Sequence, residues 1–206
     1  MGSARCSSGS GGLLSLSGAP GAFLDPSAGL AACNPVVTLV ERALGAVTAA
    51  AAALFVACQV AGCCLGVMLA NLMFDLPAVN ISNHDRTGGD LLLAEAVATF
   101  GLIVIIFGVV RSGRSHTVAF AVGGYITAAY SFTSSTSFAN PAITLARTLS
   151  NTFAGIAPAS VSSFVALQVV GAAVGLAAAL LLYPNTPELA VDLTTPAPAS
   201  LSQEPV

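Results

Sequence analysis

The chain has 206 residues, 55% of them hydrophobic and 7% charged, with a mean hydropathy of +0.87, whereas soluble domains carry about 25% charge. That balance argues against a soluble globule, and a net charge of −3 without a single lysine argues against a nucleic-acid partner. The class that remains is an all-α integral membrane protein with one helical bundle and the lipid bilayer as its surroundings.

Residues 1–33 are rich in Gly, Ser and Ala, are interrupted by Pro20 and Pro26, and hold no apolar run of the roughly 20 residues a bilayer span needs. With Arg5 as its only base the segment makes a poor signal peptide, so it is read as disordered or mis-specified. Asn34-Pro35-Val36 then opens a short helix to about residue 44. Asn is a preferred N-cap, and Pro fits the first helical position, where its missing N–H costs nothing. Residues 46–74 form a long Ala-rich span containing Gly62 and Gly66, a spacing of small residues that lets membrane helices approach closely. Residues 75–90 are polar, with Asn80, His84, Asp85, Arg86 and the pair Gly88-Gly89, and read as a surface loop.

Residues 91–110 make the next span and carry one acid, Glu95. A carboxylate there is costly unless its hydrogen bonds are satisfied, so Glu95 is expected to accept from backbone N–H groups of an irregular loop. The basic connection 111–116 is placed in the cytoplasm by the positive-inside rule, and residues 117–133 cross back. Asn140-Pro141-Ala142 begins a second short helix to about residue 150, and residues 161–183 return with Gly171 and Gly175. The helical domain is drawn over 34–184, and 185–206, rich in Pro, Ser and Thr, reads as a disordered cytoplasmic tail.

Two landmarks repeat nearly in step. The Asn-Pro motif at 34 recurs at 140, 106 positions on, and Gln59 to Gly66 is echoed by Gln168 to Gly175, 109 positions on. An internal repeat is implied. With 111–116 inside, the two short helices enter from opposite sides, as an inverted repeat requires, and broken helices in corresponding positions point to a transport site.

The paired motifs, the run Ala94-Glu95-Ala96-Val97-Ala98-Thr99-Phe100-Gly101 and the segment Thr133 to Ala142 resemble the aquaporin (major intrinsic protein) family, in its bacterial form, over about Asn34 to Pro184. The resemblance implies two re-entrant half-helices whose Asn34 and Asn140 line a pore, a homotetramer with one pore per subunit, and a passive channel in the cell membrane. It also implies two further helices before Asn34, for which the first 33 residues leave no room. A chain start that lies further upstream, or a non-conducting fragment, is the alternative reading.

In such a pore the Asn amides would donate to a passing oxygen and the carbonyls before each Asn would accept. An ion would lose hydration worth on the order of tens of kcal/mol and meet two positive helix ends. Water-selective members of the family carry Arg directly after the second motif; here that position is Ile143. With Ser137, and Ala128 on the preceding helix, it implies a wide, weakly polar filter suited to water with glycerol, urea or neutral metalloid hydroxides such as arsenite. Arg147, one turn beyond Ile143, is either a charge at the outer mouth or an anchor snorkelling to the interface.

Catalysis is not expected, since His84 and His116 fall in loops on opposite sides and no nucleophile motif occurs. A coupled transporter would want several charges at mid-membrane, where Glu95 stands alone. No metal site or cofactor is called for: Cys6, Cys33, Cys58, Cys63 and Cys64 lack zinc spacing and read as small apolar residues. Cys33 is set apart as a pore-facing thiol open to mercurials.

Overall fold

A computed structural model describes residues 33–182. The expectations for residues 1–32 and for the tail from 183 onward lie outside that range. Six α-helices follow in order: α1 (Pro35–Ala43), α2 (Ala49–Met73), α3 (Gly89–Arg111), α4 (Val118–Phe132), α5 (Pro141–Ala146) and α6 (Pro158–Leu182), with 3-10 turns at Ser115–Thr117 and Arg147–Leu149. Among the described residues the one β-type pairing is an isolated bridge between Asn80 and Ser150.

Helix lengths follow the apolar runs. α2 and α6 have 25 residues and α3 has 23, about 35–38 Å at 1.5 Å per residue, enough to cross a hydrocarbon core of about 30 Å. The span expected over 117–133 is realised as α4, with 15 residues, because Thr117 belongs to a 3-10 turn and Thr133 is extended. Helix ends are set locally. α2 starts at Thr48, whose hydroxyl accepts from the Ala51 N–H at 3.2 Å. α1 stops at Gly45 (φ +80°) and α3 at Gly113 (φ +72°). In each, the glycine N–H and the next residue's N–H bond back to successive carbonyls, Arg42 and Glu41 in one, Val110 and Val109 in the other. This left-handed cap favours glycine.

The densest packing is between α3 and α6. A Cβ built at Gly171 would come within 2.3 Å of the Ala96 carbonyl oxygen, and one at Gly175 within 2.9 Å of Ile103 Cβ and of the Phe100 carbonyl oxygen. Only hydrogen fits at either place. Gly62 and Gly66 differ from their counterparts: nothing lies within 4 Å of a Cβ built at either. α2 packs on α5 and α1 by another face. The core that results joins Val36, Val37 and Val40 of α1 to Leu102, Ile103, Ile106 and Phe107 of α3 and to Ala172 and Ala179 of α6.

The stretch between α2 and α3 departs from the surface loop expected there. Ser82 is 3% exposed and Arg86 5%, because the segment is laid into the mouth of the bundle. The Asn80 N–H bonds to the Leu149 carbonyl, Ser82 N–H to the Thr148 carbonyl, and the His84 carbonyl accepts from Ala157 N–H. Asn71, at the end of α2, donates to the carbonyls of Ala78 and Leu149 and accepts from the Ser150 hydroxyl at 2.7 Å.

Candidate functional site

The amino ends of α1 and α5 meet. Asn34 and Asn140 cap their helices with side-chain oxygens, Asn34 accepting from Val36 N–H and Asn140 from Ala142 N–H and Ile143 N–H. Each amide nitrogen then reaches into the other copy: Asn34 Nδ2 donates to the Ala139 carbonyl at 2.8 Å, and Asn140 Nδ2 donates to the Cys33 carbonyl at 3.0 Å. One N–H of each amide is thereby used, and both residues keep a small accessible surface, 6% and 7%. Pro35 and Ala142 are occupied in the first turns, with Val36 and Ala142 fully packed and Pro141 half-buried.

The repeat extends to individual hydrogen bonds. Four residues after each Asn a threonine hydroxyl donates back to the Asn carbonyl, Thr38 at 3.3 Å and Thr144 at 2.9 Å. Each threonine oxygen accepts from a glutamine on the following long helix, Gln59 at 3.0 Å and Gln168 at 2.8 Å. The two glutamines are the landmark pair of the repeat, and their polar ends lock each half-helix to its neighbour.

Glu95, fully buried on α3, accepts from the N–H groups of Phe138 and Ala139 at 2.8 and 2.9 Å and from Gln168 Nε2 at 2.7 Å. The segment it holds is unusual, since Thr136, Ser137 and Ala139 all have positive φ (62°, 46° and 46°), a conformation that costs non-glycine residues about 1–3 kcal/mol each unless the surroundings enforce it. Charge-assisted bonds from a buried carboxylate supply that enforcement. In a trans peptide C=O and N–H point opposite ways, so fixing the N–H groups of Phe138 and Ala139 on Glu95 turns the carbonyls of Ser137 and Phe138 away from it. The buried hydroxyls of Thr136 and Ser137, and Gln168 Oε1, have no hydrogen-bond partner within the described protein.

Of the remaining residues singled out from the sequence, Ile143 is half-buried on α5 and Ser137 is 3% exposed, while Ala128 is exposed on α4. Cys33 is exposed and enters the site through its carbonyl. Arg147 is held in place: Nη1 donates to the Ala154 carbonyl at 3.1 Å and the guanidinium lies 4.6 Å from the centre of the Phe138 ring.

A second arginine lies over the same ring, and it was not foreseen. Arg86 Cζ is 4.9 Å from the Phe138 centroid. Its Nε, Nη1 and Nη2 donate to the carbonyls of Gly155, Ser135 and Phe153 at 2.8, 2.9 and 3.0 Å. Its backbone N–H donates to Ser160 Oγ, which in turn donates to Asp85 at 2.9 Å. Burial draws the Arg86 guanidinium below its ordinary range, while the Glu95 carboxylate draws it back up. Hydrogen bonds from Ser160 and then Thr87 hold Asp85 below the usual carboxylate range.

Three membrane-length apolar helices, with two half-helices meeting amino end to amino end between them, define an integral membrane protein of the re-entrant-helix class. No protein-family model matches the chain, and no solved structure matches it. Over 144 residues it is 49% identical to the aquaglyceroporin AqpS of Rhizobium meliloti (strain 1021), an alignment covering 70% of this chain and 61% of that protein. The chain thus spans about three fifths of the length of the curated relative it matches. Over the matched residues it belongs to the aquaporin (major intrinsic protein) family.

Proposed function

We propose that the protein is a passive membrane channel for water and small uncharged solutes. The observation that carries this reading is the reciprocal bonding of Asn34 and Asn140, which leaves each amide one N–H beyond its bond to the other copy. A solute oxygen passing the junction accepts from those N–H groups, and its own hydroxyl hydrogens are received by the carbonyls of Ser137 and Phe138. Neutral molecules exchange hydration for these groups at small cost, whereas an ion faces a desolvation penalty and two positive helix ends of about half a charge each.

The filter is assigned to Ile143 and Ser137, with Ala128 on the preceding helix. One apolar and two small residues favour solutes larger than water, such as glycerol, urea or a neutral metalloid hydroxide. The name of the matched relative, an aquaglyceroporin, agrees with that choice. The protein is placed in the cell membrane as a multi-pass homotetramer, with residues 111–116 and the C-terminus on the cytoplasmic side.

The test is an osmotic-shift assay on vesicles carrying the full chain. Re-swelling in glycerol and in arsenite faster than in protein-free vesicles, and slowed in Asn140→Ala, is expected. Traces that match empty vesicles would sink the reading.

A further inference from the structure

We propose that Arg86 is a positioning residue for the filter: by holding the Ser135 carbonyl it fixes the strained turn that carries Ser137, and so sets which neutral solutes pass. The inference rests on the channel reading above, which assigns Ser137 to the filter.

The turn is held one peptide plane at a time. The plane between Ser135 and Thr136 is fixed by its carbonyl, which accepts from Arg86 Nη1 at 2.9 Å. The next is fixed by the Ser137 N–H, which donates to Ser135 Oγ at 3.2 Å. The two after it are fixed by the N–H groups of Phe138 and Ala139 on Glu95, and the last by the Ala139 carbonyl, which accepts from Asn34. Five consecutive planes therefore have a partner each, along a stretch where Thr136, Ser137 and Ala139 all have positive φ. Each peptide is rigid, so the backbone turns only about its φ and ψ. Glu95 restrains those dihedrals from the far end of the turn, and Arg86 is its counterpart at the near end. Without Arg86 the plane that carries Ser135 is released, and the Ser137 N–H loses a fixed acceptor.

Arg86 is suited to this task because it is itself pinned. Its backbone N–H donates to Ser160 Oγ at 3.0 Å, and the same hydroxyl, fully buried at the start of α6, donates to Asp85. Nε and Nη2 donate to the carbonyls of Gly155 and Phe153 at 2.8 and 3.0 Å, so one side chain joins the turn before the second half-helix to the turn after it. That second turn is tight, since a Cβ built at Gly155 would collide with the Ser150 carbonyl and Ser82 Oγ. The Phe138 ring lies 4.9 Å from Arg86 Cζ and packs on Phe164 at 5.6 Å. A planar guanidinium serves three carbonyls of two segments with donors in fixed directions; an ammonium on a flexible stem does not reproduce that fork.

The test uses vesicles carrying the full chain and reads water by shrinkage and glycerol by re-swelling in one trace. Glycerol touches more of the filter wall than water does. In Arg86→Lys and in Arg86→Gln the ratio of glycerol to water permeability should therefore fall by about twofold to tenfold, the range that one hydrogen bond spans. Asn71→Leu, which loosens the connection between α2 and α3 without touching Ser135, should leave the ratio unchanged. A second readout needs no conducting pore: hydrogen exchange at the Ser137 amide should be about tenfold faster in Arg86→Lys than in the parent chain, the change that 1.4 kcal/mol produces. If Arg86→Gln does not fold, Arg86→Lys and Ser135→Ala, which removes the acceptor of the Ser137 N–H, carry the same two measurements. A parent ratio kept in the arginine variants, a lysine variant that matches the parent while Arg86→Gln does not, or an equal fall in Asn71→Leu overturns the proposal. Unchanged Ser137 exchange in Arg86→Lys defeats the positioning role, whereas a parent chain without glycerol flux defeats the channel reading and the filter role with it.

Discussion

At the scale of single residues, the junction is held by few groups with no slack. Glu95 receives three N–H donors, each at 2.9 Å or less, and bonds to a charged acceptor contribute about 1.5–3 kcal/mol each. Glu95→Gln turns one acceptor into a donor facing another donor, so a fall in stability of about 2–3 kcal/mol is expected, measured as a shift in the detergent-solubilised unfolding curve. No shift would mean that the carboxylate does not hold the 136–139 segment. For the two asparagines the sharper test is a double-mutant cycle. Asn34→Ala and Asn140→Ala remove neighbouring bonds across one interface and should couple by about 0.5–3 kcal/mol. Strictly additive losses would show that the two contacts are independent.

Much of this was legible beforehand. Asn34, Asn140 and the two glutamine landmarks announce themselves by repetition, and a lone acid in an apolar helix asks for backbone donors, which is where Glu95 is found. Arg86, Asn71 and Phe138 were not legible. A polar stretch with Arg86 between His84 and Gly88 looks like any solvated connection, because nothing in its composition says that three other segments supply carbonyls and a hydroxyl to it. Phe138 drew no separate reading, because its ring contacts are made by Arg86, Arg147 and Phe164, two of them distant in the chain.

At the scale of elements, the repeated small-residue pattern behaves differently in its two copies. Gly171 and Gly175 bring α6 against the backbone of α3, whereas Gly62 and Gly66 face open space. Gly171→Ala forces a methyl into the Ala96 carbonyl and should cost about 1–3 kcal/mol, as overpacking does. Gly62→Ala should be neutral or stabilising by up to about 1 kcal/mol, the helix preference of alanine over glycine. The measurement is the same unfolding curve, and equal effects in the two variants would contradict the packing described. Sequence spacing identifies which faces can approach closely, but not which of them has a neighbour.

At the scale of the whole molecule, the connection between α2 and α3 acts as a strap across one end of the bundle. Its Asn80 and Ser82 N–H groups are bonded to carbonyls at the end of the second half-helix region, at 3.0 and 2.9 Å. Hydrogen exchange at these two amides should be slow, unlike that of an ordinary long connection. Asn71→Leu, which removes two donors and one acceptor from the anchor of this strap, should make them exchange faster. If the amides of residues 80 and 82 exchange at the rate of an unstructured peptide in the parent chain, the strap does not exist in the membrane.

The reciprocal bonds of the asparagines also bear on how the chain is made. Asn34 waits for the carbonyl of Ala139, 105 positions downstream, and Asn140 for that of Cys33, 107 positions upstream. A ribosome adding about 5–20 residues per second needs on the order of 5–20 s to emit what lies between them. Throughout that interval the Asn34 amide lacks the carbonyl that receives it in the finished fold. Completion of the centre is therefore among the last events of biogenesis, and a nascent chain stalled before residue 139 holds a first half that cannot close on itself.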